Sequence, residues 1–223
     1  MEIIWYNIGM TLVQKATKRL SKQIAKNRDI LDAAYELFLE RGFDSVSIKD
    51  IAERAGIAKG TFYLYYSSKE DLRESLITQK SNELFRRALD ALSRTDISDF
   101  SEQIIFMVDY VTDTLAQNKK ALMLIEKDLS FGLFNQKLEE IFADQHPSVL
   151  EILTAAAEKS GVKLRNPEVL LYMVVELVGS TCFSCILNAR PFELAVYKPY
   201  LFDAIRQLIV SQSTSIASRE AST

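Results

Sequence analysis

The sequence predicts an all-α protein: an N-terminal three-helix domain containing a helix-turn-helix, followed by a larger helical domain. Three observations point there. The 223 residues include only 7 Gly and 4 Pro, while Ala, Leu, Glu, Lys and Gln are common, a composition that favours helix. Apolar residues recur at spacings of three, four and seven along most of the chain, which builds the apolar stripe of a packed helix. No stretch shows the two-residue alternation of a strand. Hydrophobic residues make up 48%, enough for a sizeable core and unlike a disordered chain.

Taken in order, residues 1–20 read as a flexible N-terminal extension. Formal net charge is -3, yet Lys15, Lys18, Arg19, Lys22, Lys26 and Arg28 follow one another with no acidic residue between them. A basic arm on an acidic chain is either a solvated tail or the one end that touches a polyanion. A helix follows whose stripe is Ile24, Leu31, Ala34, Tyr35 and Phe38, stopped by Gly42. Ser47, three residues ahead of Asp50, resembles a capping box and opens a short helix over 48–55. Gly56 supplies the turn, and a second short helix spans about 59–65. Ser67 or Ser68 caps a long helix running to about 92, with acids in its first turn. These pieces give a DNA-binding domain at 21–71 and an effector-binding and dimerisation domain at 72–212. Its helices are expected at about 99–117, 119–131, 135–144, 148–160, 167–188 and 192–212, with His146-Pro147 as an interruption. Residues 213–223 read as a disordered polar tail.

Two short helices joined by a tight glycine turn form a helix-turn-helix. Ile51, Ala52, Ile57 and Phe62 are the apolar residues that hold the pair at a fixed angle on the Tyr35–Phe38 face. The outward side is then Lys59, Gly60, Thr61, Tyr63 and Tyr65. Gly60 lets the backbone approach a groove. Thr61 offers a hydroxyl to a base edge or phosphate and a methyl to thymine. Lys59 and Lys69 are point charges for phosphates. The tyrosines combine an apolar body with a hydroxyl tip. Leu64 and Tyr66 are assigned to the core.

The stretch 28-RDILDAAYELFLERGFDSVSIKDIAERAGIAKGTFYLYYSSKEDL-72 resembles the DNA-binding domain of the TetR family of transcriptional regulators. The resemblance covers about the N-terminal third and rests on AAYELFLERGFDSVSI, DIAERAGIAKGTFYLYY and SKEDL, in that order. It implies contacts to phosphates or bases from Ser47, Lys49, Lys59 and Gly60, and from Thr61, Tyr63, Tyr65 and Lys69. The chain departs from the family pattern at Tyr65, where His is common, and at Ala58, where Ser is common and would donate a hydrogen bond. The resemblance also implies a homodimer whose last two long helices, 167–188 and 192–212, form a four-helix bundle. Leu170, Leu171, Val174, Leu177 and Val178 suit that role on the first, and Tyr197, Leu201, Ile205 and Leu208 on the second. Gly179, Ser180 and Ala189 allow close approach. Such a dimer reads a palindromic duplex with half-sites roughly 34–36 Å apart, or a multiple of that.

The middle helices resemble the family's ligand-binding region. Phe106, Tyr110, Met123, Phe131 and Phe134 are candidates to line an effector cavity, with Met173 and Phe183; Phe100, Met107 and Phe142 join them in the same apolar set. Glu176 sits inside the apolar run VVELVGS, where a buried carboxylate needs a partner. A structural ion pair is favoured over an effector contact. Cys182 and Cys185 share one helix face; buried small apolar residues are the favoured reading over a redox or metal role. With one His and no clustered ligands, no catalytic site, metal or cofactor is expected. The apolar run at 169–189 carries Glu176 and reads as a core helix, not a membrane span. The expected protein is a cytoplasmic, ligand-responsive repressor, with no membrane partner, released from operator DNA by an apolar or amphipathic effector. A helical adaptor that binds protein in place of DNA is the alternative.

Overall fold

The computed structural model describes residues 2–125 and 148–213, with side chains over 17–123 and 148–213. The expected helix at 135–144, the end of the 119–131 helix, the His146-Pro147 break, Phe131, Phe134, Phe142 and the tail beyond residue 213 lie outside the described residues. Within them every regular element is a helix, and the single β-type feature is an isolated bridge between Leu164 and Ser213. The chain divides into two compact units, Met1–Leu76 and Ile77–Thr223.

The first unit begins with α1, Glu2–Arg41, a helix of 40 residues. From Glu2 onward, the extension expected over 1–20 forms the front of this helix. Between Met10 and Arg41 there is neither Gly nor Pro, and its Lys, Arg, Gln and Ala content sustains a helix even where nothing packs on it. The buried stripe is Ile30, Leu31, Ala34, Leu37 and Phe38. Ile24, expected on that stripe, is 61% exposed, because the helix runs past the domain it packs on. Gly42 ends α1 at φ 80, and its N–H closes on the Phe38 carbonyl at 3.0 Å.

Next come α2, Ile48–Arg54, α3, Lys59–Phe62, and the start of α4, Lys69–Leu92. Ser47 caps α2 in a full capping box. The Asp50 N–H donates to Ser47 Oγ at 3.2 Å, and the Ser47 N–H to Asp50 Oδ2 at 2.8 Å. Ser68 is the cap of α4, its Oγ accepting the Asp71 N–H at 3.0 Å. Ser67 instead donates its own N–H to Asp71 at 2.8 Å.

The second unit is built from the rest of α4, then α5, Phe100–Gln117, α6, Lys119–Ile125, α7, Val149–Lys159, α8, Pro167–Asn188, and α9, Leu194–Gln212. Asp99, Ser148 and Asn166 cap α5, α7 and α8 through their side chains, and Pro167 opens α8 where its missing N–H is harmless. The core is a cluster running from Phe100 and Val108 on α5 through Leu153 on α7 and Leu170 on α8 to Leu201 and Ile205 on α9. With 22 residues and mean hydropathy 1.9, α8 is the one described helix long and apolar enough to cross a membrane. Here Leu170, Val174, Val178 and Cys182 on it are packed in that core.

Candidate nucleic-acid interface

The reading unit is held by three devices. The first is apolar: Ile51, Ala52 and Phe62 are buried with Val46 and Leu72, and Phe38 meets Phe43 edge to face at 5.1 Å. The second is ionic. Arg54 on α2 reaches back to α1, donating to Glu36 at 3.0 Å and to Glu40 at 3.1 Å. The hydrogen bond from Arg54 holds the Glu40 carboxyl below its ordinary range. The third is a single hydroxyl. Tyr66, nearly buried, donates to Asn27 Oδ1 on α1 at 2.6 Å, and burial pushes its pKa well above the ordinary tyrosine value. Sequence reasoning misses the partners of Arg54 and the role of Asn27. Spacing within a helix carries no trace of a bond between side chains 39 positions apart.

Gly56 adopts φ 65, left-handed backbone that a side chain strains. The Ile57 N–H then closes on Ala52 at 2.9 Å, and the chain re-enters helix at Lys59. Ala58 is the N-cap of α3 and offers no side-chain bond, so the start of α3 is held by the backbone alone, with the Thr61 N–H on the Ala58 carbonyl at 2.8 Å. The helix expected over 59–65 is shorter as an α-helix. Beyond Phe62 it continues as turns, with Leu64, Tyr65 and Tyr66 donating to Thr61, Phe62 and Phe62 at 3.1, 2.9 and 3.0 Å.

This backbone decides where the side chains go. Phe62 is fully buried. Lys59 and Gly60 are exposed, Thr61 is half-exposed, and Tyr63 is 50% exposed with its ring edge to face on Phe62 at 5.5 Å. A Cβ built at Gly60 meets nothing within 4 Å, so the surface there is open for a close approach. Ser47 and Lys49 stand exposed at the start of α2, Lys49 in a loose pair with Glu53 at 3.6 Å. Hydrogen bonds from Ser47 hold the Asp50 carboxyl below its ordinary value. Tyr65 is half-buried and lines a cleft against α1.

Two expectations change. Leu64 is 82% exposed while Tyr66 is the core residue. The turns after Phe62 rotate Leu64 outward, and Asn27 satisfies the hydroxyl that burying Tyr66 would otherwise strand. Lys69, expected to contact phosphate, has partners within its own unit as well. Its ammonium donates to the carbonyls of Phe43 and Val46 at 2.9 and 3.0 Å and lies over the Phe43 ring at 4.2 Å. It therefore braces the loop between α1 and α2, where the Val46 N–H also donates to the Phe43 carbonyl at 3.3 Å.

The second unit holds an apolar cavity of about 120 Å³. Its walls come from α4 (Phe85, Leu89, Leu92), α5 (Ile104, Met107, Val108, Val111), α7 (Val149, Ile152, Leu153) and α8 (Leu171, Val174, Val175, Val178). Gln103 also lines it, with its amide donated to the Ile97 carbonyl at 2.9 Å. Of the expected lining residues, Met107 is there. Phe106, Tyr110, Met173, Glu176 and Phe183 are on the right helices but do not line it, and Met123 is 58% exposed. Most of the wall is Leu, Ile and Val, side chains that carry no chemical signature. Glu176 is half-buried, beside exposed Met173 and Ser180 on the outer stripe of α8, so it does not sit in the apolar interior as expected. Cys182 and Cys185 are buried thiols, and burial pushes Cys182 up to about 11, which makes it inert. Among the described residues no cluster of His, Cys, Asp and Glu fits a metal.

An all-α chain whose first unit presents an exposed short helix from a glycine-turned pair defines a class, the helix-turn-helix DNA-binding regulators. Residues 30–76 match the family described as bacterial regulatory proteins, tetR family. Among curated relatives, it is 25% identical over 192 residues to a fatty acid metabolism regulator protein of Bacillus subtilis (strain 168), covering 83% of this chain and 94% of the relative. It is 26% identical over 167 residues to the transcriptional regulator UidR of Escherichia coli (strain K12), covering 74% and 82%. Among solved structures, it shares its fold with FadR of Bacillus halodurans (TM-score 0.55, 19% identity, 81% of this chain and 94% of that one). The same holds for FadR of Bacillus subtilis in complex with stearoyl-CoA (TM-score 0.54, 20% identity, 80% and 96%). The chain is a DNA-binding transcriptional regulator, and the adaptor alternative falls.

Proposed function

We propose that the protein is a cytoplasmic repressor that binds a palindromic operator as a homodimer and releases it when an acyl chain enters the cavity of the second unit. The observation that carries this reading is the sharing of α4. Leu72 and Leu76, buried near its start, belong to the reading unit, while Phe85, Leu89 and Leu92 near its end line the cavity. One helix thus supplies residues to both.

Size supplies the coupling. A cavity near 120 Å³ is smaller than the roughly 150 Å³ that holds one benzene. A long apolar chain enters only if the surrounding helices part, and α4 is one of them. A ligand that binds the parted arrangement better shifts the equilibrium towards it, and with DNA favouring the closed arrangement, linkage makes the two ligands oppose each other. The absence of any uncommitted polar side chain among the described lining residues favours an alkyl tail over a sugar or an aromatic polyol. The relative that regulates fatty acid metabolism makes acyl-CoA the first series to test.

The test begins with the duplex enriched by the purified protein from a random pool. Acyl-CoAs of increasing chain length are titrated into that complex, with free CoA as the control. Release that grows with chain length is expected. Ile104→Phe, which fills the cavity, is expected to keep duplex binding and blunt release. If no acyl-CoA releases the duplex at any chain length, the effector class is wrong.

A further inference from the structure

The DNA-reading face described above uses none of the N-terminal half of α1, and the match to the family begins only at residue 30. The part of α1 ahead of residue 30 carries Lys18, Arg19, Lys22 and Lys26, all exposed. At 3.6 residues per turn they fall on one side of the helix, and no acidic residue lies between Ile3 and Arg28. Among the described residues none of the four is in an ion pair. Together with Gln23 and Tyr65 they line an open cleft of about 420 Å³. Tyr65 is the residue that closes the reading segment, so the stripe adjoins the surface of α3 within the same compact unit. The bond from Tyr66 to Asn27 at 2.6 Å pins α1 to that segment one residue beyond Lys26.

We propose that this stripe is a second DNA contact, a rail that grips the phosphate backbone beside the half-site read by α3. It rests on the DNA-binding reading of the first unit. The four charges extend about 12 Å along α1, the reach of several phosphates, which on one strand succeed one another every 3.4 Å or so of duplex axis. Lysines and an arginine without carboxylate partners suit phosphates, which position a protein without specifying sequence. A chain with net charge -3 has no overall attraction to DNA, and a local basic stripe supplies it at the end that must dock. Tyr65 forms the wall between rail and reading helix, with a hydroxyl at its tip for the same backbone.

The test compares the wild type with Lys18→Gln/Arg19→Gln/Lys22→Gln/Lys26→Gln. Glutamine keeps helix propensity close to that of lysine and arginine, and circular dichroism with thermal melting confirms that folding is kept. Affinity is measured against salt for the duplex enriched by the wild type and for a scrambled duplex of equal length. The expected result is a log–log salt slope shallower by about 0.9 for each phosphate that the variant no longer neutralises, with the preference for the enriched duplex unchanged. The charge-keeping variant Lys18→Arg/Lys22→Arg/Lys26→Arg is expected to retain the wild-type slope. A wild-type slope in the glutamine variant overturns the rail, and binding of the stripe to vesicles of anionic phospholipid with that unchanged slope would reassign it to a membrane surface. Failure of the underlying reading looks different: neither protein then prefers the enriched duplex, and Tyr63→Ala changes nothing.

Discussion

Gly56 and Gly60 lie four positions apart and serve opposite ends. Gly56 stands at φ 65, where any side chain strains the backbone by about 1–2 kcal/mol. Gly60 is an ordinary helical residue with open space where its Cβ would be. Gly56→Ala is expected to lower the melting temperature and disturb the angle between α2 and α3. Gly60→Ala is expected to leave stability unchanged or raise it by about 0.4–1 kcal/mol, while weakening affinity for the selected duplex, because the added methyl stands on the surface proposed to face the groove. Thermal melting and duplex titration on the same two variants separate the roles. Wild-type affinity in Gly60→Ala would remove Gly60 from the interface.

At the scale of elements, α9 is clasped to α5 by ions as well as by apolar packing. Lys198, with its side chain only 12% exposed, donates to Asp109 at 2.7 Å and also to Asp113. Arg206 donates to Glu102 at 2.8 Å. Burial works against the Lys198 charge, yet the bonds to Asp109 and Asp113 outweigh it, and its pKa is raised. A raised pKa means the contribution to stability is whole below the ordinary lysine value and declines as pH rises through the folded value. The wild type is therefore expected to lose stability at alkaline pH, and Lys198→Met to lose less over that window. At neutral pH the variant should cost at most about 1 kcal/mol, since both carboxylates are about half in water and screened. Chemical denaturation from about pH 9 to 12, a span that runs from below the ordinary lysine value to above it, checks this, and equal alkaline slopes in the two proteins would deny the clasp its role.

For the whole molecule, the outer faces of α8 and α9 matter most. Val169 and Met173 on α8, and Val196, Tyr200 and Val210 on α9, are exposed apolar residues, Tyr200 at 73%. A patch of this kind suits an interface, and the proposed palindrome, with its two half-sites, calls for two copies. The residues that the sequence assigns to that interface, among them Leu170, Val174, Leu201 and Ile205, are instead in the core of their own subunit. Val196→Glu/Tyr200→Glu is expected to yield a folded monomer by light scattering, with affinity for the palindrome reduced to that for a single half-site. A dimer that survives both charges would place the interface elsewhere.

Helix positions, caps and the glycine turn were legible from residue order, because each depends on neighbours within about four positions: Ser47 with Asp50, Pro167 at the start of α8, φ > 0 at Gly42 and Gly56. The family motif from AAYELF to SKEDL was legible for the same reason. Orientation was not. α8 is apolar nearly all round, so no periodicity tells its core stripe from its outer one, and only packing against α5, α7 and α9 separates Val174 from Met173. The cavity wall, the Lys69 brace and the Tyr66–Asn27 bond likewise join residues distant in the chain. Local chemistry sets what each segment becomes; which face meets which is decided only when the segments share one core.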